Sequence, residues 1–176
     1  NDTEGLHYGV INTPEKFWLR WKEPCGEPCA KPHFTAEEYP NELDRSVSQF
    51  FAPARLLEYI HDFIIFDGGV KKAARPNQYF AIKAAQPRVR NKQNGIIGHS
   101  QGSCKSLTMI WLAQWIRENV EDARVVIITD RDELDKQIEN GFKDAGEQIK
   151  RATSGDKLIG MLNAAEPWLI CSLIHK

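Results

Sequence analysis

Gly98-His99-Ser100-Gln101-Gly102-Ser103-Cys104-Lys105-Ser106 is a loop of small residues ending in Lys-Ser, and its surroundings decide the fold. Gly95-Ile96-Ile97 ahead of it is a short apolar run that predicts a buried strand. From Lys105 to about Asn119 the apolar residues predict a long helix. Strand, small-residue loop, Lys-Ser and helix together form the context of a phosphate-binding loop. The N–H groups of such a loop and of the helix start converge on an anion. On this reading Gln101, Gly102, Ser103, Cys104, Lys105, Ser106 and Leu107 cradle a nucleotide. Lys105 reaches the β- and γ-phosphates of ATP and the Ser106 hydroxyl takes Mg²⁺, which makes these two the expected catalytic pair. Cys104 is the departure. The position before the lysine ordinarily takes a glycine, for its dihedrals or for close approach to phosphate.

The 176 residues are 41% hydrophobic and 27% charged, the balance of an ordinary globular chain of one domain or slightly more. No apolar run approaches the roughly 20 residues of a membrane span, so no membrane partner is expected. The start, Asn1-Asp2-Thr3-Glu4, is acidic, lacks Met and matches neither a signal nor a transit peptide, so an internal start is expected. A net charge of −1 gives no general pull toward nucleic acid, but its distribution is uneven. Residues 71–92 hold seven basic side chains and no acidic one, a block suited either to a solvated helix face or to phosphate. Four cysteines are scattered, and neither Cys104 nor Cys171 reads as half of a disulfide, which points to a reducing cytoplasm. Cys25, Cys29 and His33 have a faintly metal-like spacing without an evident fourth ligand.

Residues 1–45, rich in Pro, Gly and charge, read as the end of a preceding domain plus a linker. Phe17, Trp18 and Trp21 within them call for a larger body to pack against. Residues 46–176 read as the first part of an α/β domain. A helix is expected over 54–66, on the spacing of Leu56, Leu57, Ile60, Phe63 and Ile64, and another from Pro76. Residues 123–129 form a continuous β-branched run, the pattern of a parallel strand buried on both faces. A helix with a Leu134, Ile138, Phe142 stripe follows, then a short helix within 155–165 and a last strand over 168–174. Strands alternating with helices imply a parallel sheet.

Three further segments carry chemistry. Gln78 offers an amide donor and acceptor side by side, the complement of an adenine edge, and Arg75 can stack on a base. Taken alone, both are as well explained by a solvated helix start. Thr129 and Arg131 lie where a strand gives way to a helix, a place suited to a DNA phosphate. Asp130 or Asp132 would serve there equally as helix-terminal acids. Ser172 ends the last strand at the carboxyl edge, where α/β proteins put ligands.

As a set, these motifs resemble the motor portion of type I restriction endonuclease R subunits, superfamily 2 helicase-like DNA translocases. The resemblance is carried by His99-Ser100-Gln101-Gly102-Ser103-Cys104-Lys105-Ser106-Leu107-Thr108-Met109, where the family's loop has Gly before the lysine. It extends to Ala74-Arg75 with Gln78-Tyr79-Phe80-Ala81, to Val126 through Arg131 with Leu134, Asp135 and Gln137, and to Cys171 through Lys176. Gly9 through Phe17 with Trp21 is a looser match to the segment joining nuclease and motor. The resemblance implies a partial P-loop (RecA-like) helicase lobe, with a remnant of an N-terminal domain before it. It also implies ATP and Mg²⁺ as cofactors, double-stranded DNA as substrate, and modification and specificity subunits as partners in the cytoplasm.

No Glu-x-Lys or Asp-x-Lys of the family's nuclease signature is present. The acidic pair that would orient Mg²⁺ and the attacking water would follow His175, so the chain alone is expected to lack turnover. Two alternatives stand beside this reading: a non-catalytic or decayed nucleotide module marked by Cys104, and another superfamily 2 helicase-like ATPase.

Overall fold

Gly68 and Gly69 both take left-handed dihedrals (φ 57° and 81°), which only glycine adopts at no steric cost. Such a pair makes a two-residue hairpin turn whose twist suits the strands on either side. In the computed structural model, which describes residues 1–24 and 39–175, they join β3 (Ile64–Asp67) to β4 (Val70–Ala73). The helix expected over 54–66 therefore stops early. It is α2, Pro53–Asp62, and Phe63 is its C-cap. The run Phe63 to Phe66 satisfies helical spacing and strand composition alike, and the glycine turn gives it a strand partner. Cys25, Cys29 and His33 lie outside the described residues.

Contacts divide the described residues into two units, 1–65 with 71–98 and 66–70 with 99–176. The first begins with a small antiparallel pair, β1 (His7–Tyr8) and β2 (Leu19–Arg20), followed by α1 (Glu42–Phe50), α2 and α3 (Pro76–Arg90). Asn41 caps α1 by accepting from the Asp44 amide at 2.9 Å, so the helix begins at Glu42. The core is aromatic. Trp21 packs against Phe50, Tyr79 and Phe80 with ring centroids 4.8, 5.4 and 5.3 Å apart, and Phe63 meets Tyr79 at 4.6 Å. Trp21 thus finds the larger body that the aromatic spacing called for, whereas Phe17 and Trp18 stay exposed. The hydroxyls of Tyr8 and Tyr59 both donate to the Ala74 carbonyl, so these buried polar tips are satisfied. Burial, the leading cause, pushes the Tyr59 phenol up to about 12.

The second unit is built on a parallel sheet in the order β5–β7–β6, from β5 (Val125–Thr129), β6 (Ile149–Arg151) and β7 (Leu169–Leu173). Val125 pairs with Leu169 and Thr129 with Leu173 on one side, and Ile149 with Leu169 on the other. All five residues of β7 are buried, as an apolar run in a central parallel strand should be. The helices are α4 (Lys105–Asn119), α5 (Asp132–Asp144) and α6 (Gly155–Asn163). Ile138 and Phe142 bury the stripe of α5, which contacts α4 and all three strands. Ile110 of α4 lies 3.6 Å from where a Cβ on Gly141 would sit. Gln114 and Arg117 of α4 both donate to Glu147, at 3.1 and 3.2 Å.

The expected α/β class with a parallel sheet is borne out, with three corrections of detail. Residues 95–97 form no strand, and Ile96 is 98% exposed. A strand of three residues between glycines holds only where a neighbour offers a ladder, and among the described residues none pairs with it. The β-branched run over β5 is not buried on both faces: Val126 and Ile128 are 37% and 61% exposed, because nothing among the described residues covers the face that carries them. β6 was not read from the sequence at all. Its Ile-Lys-Arg carries one apolar side chain, and pairing to β7 alone makes it a strand.

Phe142 has no exposed surface. Phe142→Ala is expected to cost about 3–5 kcal/mol, cavity term included, read as a lower urea midpoint with an unchanged slope.

Candidate functional site

The loop before α4 turns twice through the left-handed region, at Gly102 (φ 79°) and at Cys104 (φ 55°, ψ 53°). A Cβ on Gly102 would meet open space, so glycine is there for its dihedral and not for lack of room. Cys104 has the same requirement and carries a side chain. Of the two reasons for glycine before the lysine, the dihedral one is therefore present. A non-glycine residue held left-handed costs about 1–2 kcal/mol. The thiol points outward, with Sγ 4.0 Å from the Gly102 carbonyl.

Between these two residues Ser103 is buried, and its hydroxyl donates to the Ser100 carbonyl at 2.7 Å. Lys105 Nζ donates to that same carbonyl at 2.9 Å, so its ammonium folds back over the loop. Cys104 is the N-cap of α4 and supplies no side-chain cap; the Leu107 amide bonds to its carbonyl at 3.1 Å. A 15-residue helix thus opens toward an exposed loop with its positive dipole end. Gln101, Gly102, Cys104 and Lys105 are exposed, and Ser106 and Leu107 half-buried. Left-handed turns leading into a helix start are how backbone amides form anion concavities. A triphosphate fits the donors present, and a single Ser106 hydroxyl suits a cation that keeps most of its waters.

Arg75 and Gln78 belong to the other unit. Arg75 is the N-cap of α3, and its backbone N–H donates to Gln78 Oε1 at 2.8 Å. Gln78 is buried and ties down the start of its own helix.

In the second unit the parallel register brings the ends of β5 and β7 side by side, with Thr129 opposite Leu173 and Ile128 opposite Ser172. The Thr129 hydroxyl is buried and donates to Asp135 Oδ1 at 3.5 Å. That of Ser172, also buried, donates to the Leu173 carbonyl at 3.2 Å. Arg131, the N-cap of α5, is exposed, with only the exposed Asp130 carboxylate within 3.7 Å.

Sequence reasoning missed the groups that fix this turn. Asp132 and Asp135 both lie in the first turn of α5, three residues apart and therefore on one face. Arg151 of β6 spans them, Nε donating to Asp135 and a terminal nitrogen to Asp132. Asp135 has no exposed surface, so the pair meets the requirement that a buried charge be partnered. Lys136 first, and Arg151 next, hold the Asp132 carboxyl below the usual carboxylate range. Burial first, and the Asp135 charge next, push the Cys171 thiol up to about 12, where it is inert. Cys171 is a free, buried thiol. The one sequence hint was an acid at each of two positions three apart; nothing in the sequence marked Arg151 as their partner.

Comparison with known proteins gives the family. The SWI2/SNF2 ATPase family model matches residues 77–176, and the chain belongs to that family. It is similar to the type I restriction enzyme SauCOLORF180P endonuclease subunit of Staphylococcus aureus (strain COL). The two are 29% identical over 140 residues, covering 77% of this chain and 15% of that protein. It is also similar to the type I restriction enzyme HindI endonuclease subunit of Haemophilus influenzae, 27% identical over 127 residues, or 64% of this chain and 12% of that protein. The resemblance to type I restriction subunits read from the motifs is thereby borne out. The chain spans only a small part of the length of these relatives. No helix among the described residues is long and apolar enough to cross a membrane.

Two outcomes follow for the chain without ligand. Replacing Cys104 by glycine relieves left-handed strain at the expense of unfolded-state entropy, and should stabilise by about 0.5–1 kcal/mol. Cys104→Val, β-branched at positive φ, should destabilise; denaturant titration reads both. A carboxyl whose folded pKa lies below its unfolded one stabilises above the ordinary carboxylate range, and that contribution is lost as pH falls through the folded value. Stability followed from neutral pH to about pH 3 should therefore fall less steeply for Asp132→Asn than for the parent.

Proposed function

We propose that this chain is the nucleotide-binding part of an ATP-driven DNA translocase within a type I restriction enzyme. The observation that carries the proposal is the left-handed loop at Gly102 and Cys104 feeding the uncapped start of α4, with Lys105 folded over it. Backbone amides of residues 101–107 bind the phosphates, Lys105 neutralises the terminal ones, and Ser106 would hold Mg²⁺. When bound, the metal supplies charge neutralisation across the phosphates. Gln78 and Arg75 are the residues we assign to the adenine, on the donor and acceptor that a glutamine amide offers side by side. Arg131, at the ends of the strands that carry Thr129 and Ser172, meets DNA backbone phosphate. Family membership and the names of the restriction-enzyme relatives support double-stranded DNA as substrate, with modification and specificity subunits as partners in the cytoplasm. We expect the 176 residues alone to position phosphate without turnover.

The test is calorimetric titration of Mg-ATP into the purified chain and into Cys104→Gly. Saturable binding to both, lost in Lys105→Ala, is the expected result. Binding to the glycine variant alone would make this a decayed site in a sound fold, and binding to neither would overturn the proposal. DNA-stimulated ATP hydrolysis by the chain would refute the absence of turnover.

A further inference from the structure

Asp130 and Arg131 are exposed, yet the chain on either side of them is pinned. Before them, Thr129 is fixed by the β7 register and by its hydroxyl bond to Asp135. After them, Asp132 and Asp135 are clamped by the two arms of Arg151, and the Asp135 amide bonds to the Arg131 carbonyl at 3.0 Å. A two-residue turn between fixed ends has little freedom left in its backbone. Arg151 is set in β6, whose ladder to β7 fixes its Cα against Cys171, so the clamp is anchored to the same central strand. The guanidinium is planar, and its two-armed grip on separate carboxylates is one that a lysine ammonium reproduces poorly.

We propose that Arg151, through Asp135 and Asp132, is a positioning residue that aims Arg131 at a DNA phosphate from the carboxyl edge of the sheet. This rests on the reading of Arg131 as a phosphate contact. Arg151 does not itself touch DNA: its side chain is only 19% exposed and its donors face the two aspartates. Holding the contact in place before DNA arrives removes the ordering cost that a loose exposed arginine would incur on binding.

The test is binding of a random-sequence DNA duplex to the full 176-residue chain across a salt series, for the parent, Arg131→Ala, Arg151→Lys and the double variant. Removing a phosphate-binding cation should weaken binding about equally for all sequences and lower the log–log salt slope by about one. Arg151→Lys keeps its positive charge, so it lowers the slope only if the Arg131 contact is lost. A residue of merely structural importance would leave that slope unmoved. The expected result is a similar slope reduction in Arg131→Ala and Arg151→Lys, with the double variant no weaker than Arg131→Ala. Additive losses, or an unchanged slope in Arg151→Lys beside a reduced one in Arg131→Ala, would overturn the positioning role and leave the phosphate contact standing. No effect of Arg131→Ala would overturn the phosphate contact, and the positioning role with it. Should Arg151→Lys lose its circular dichroism signature, Asp132→Ala, which removes the half-exposed acceptor of the clamp, takes its place in the cycle.

Discussion

The strand Leu169–Leu173 is buried along its whole length, and the arrangement of the second unit follows from that. A parallel strand with no exposed face must have ladders on both edges and cover on both sides. Its neighbours Val125–Thr129 and Ile149–Arg151 supply the ladders, in a register that sets their positions to the residue. That register puts Thr129 beside Leu173, and it puts Arg151 within reach of the helix that begins at Asp132. Apolar burial thereby decides where polar groups stand. The aspartates and Arg151 need no separate device to find one another.

Burying Asp135 demands a partner, and Arg151 meets the demand from another strand. Buried pairs of this kind contribute little net stability against an apolar alternative, while removing one partner alone is costly. Their value lies in definition. One geometry satisfies both aspartates, the Arg151 guanidinium and the Thr129 hydroxyl together, and the short exposed turn between β5 and α5 inherits it. The loop before α4 is defined differently, by backbone. Gly102 and Cys104 turn left-handed, Ser103 and Lys105 donate to one carbonyl, and the helix start lies open. Strain of this kind at Cys104 persists only where the surroundings impose it, and is found where a loop is shaped for a ligand.

The legibility of each part tracks how local its cause is. The loop and α4 could be read because Lys-Ser after small residues and ahead of an apolar helix is a local pattern, and the requirement at position 104 is one of local dihedrals. The end of α2 could not, because Phe63 to Phe66 fits two periods and only the Gly68–Gly69 turn, pairing them with Val70–Ala73, chooses. Ile96 and Ile97 have strand composition, but a strand is a relation between two segments and the second is absent among the described residues. The β-branched run of β5 was legible as a strand, yet its place in the sheet was not.

By itself, the sequence determined the class of the fold, the small-residue loop with its cysteine before the start of α4, and the kinship with type I restriction enzyme endonuclease subunits. These depend on residue type, short spacing and period, all properties of contiguous chain. Tertiary structure alone decided that β7 and not β5 is central, that Lys150 and its neighbours form a strand, and that Arg151 grips two aspartates more than a dozen residues away. Those depend on which distant segments share a ladder. Burial of β7 along its whole length selects that pairing, and no local pattern encodes it.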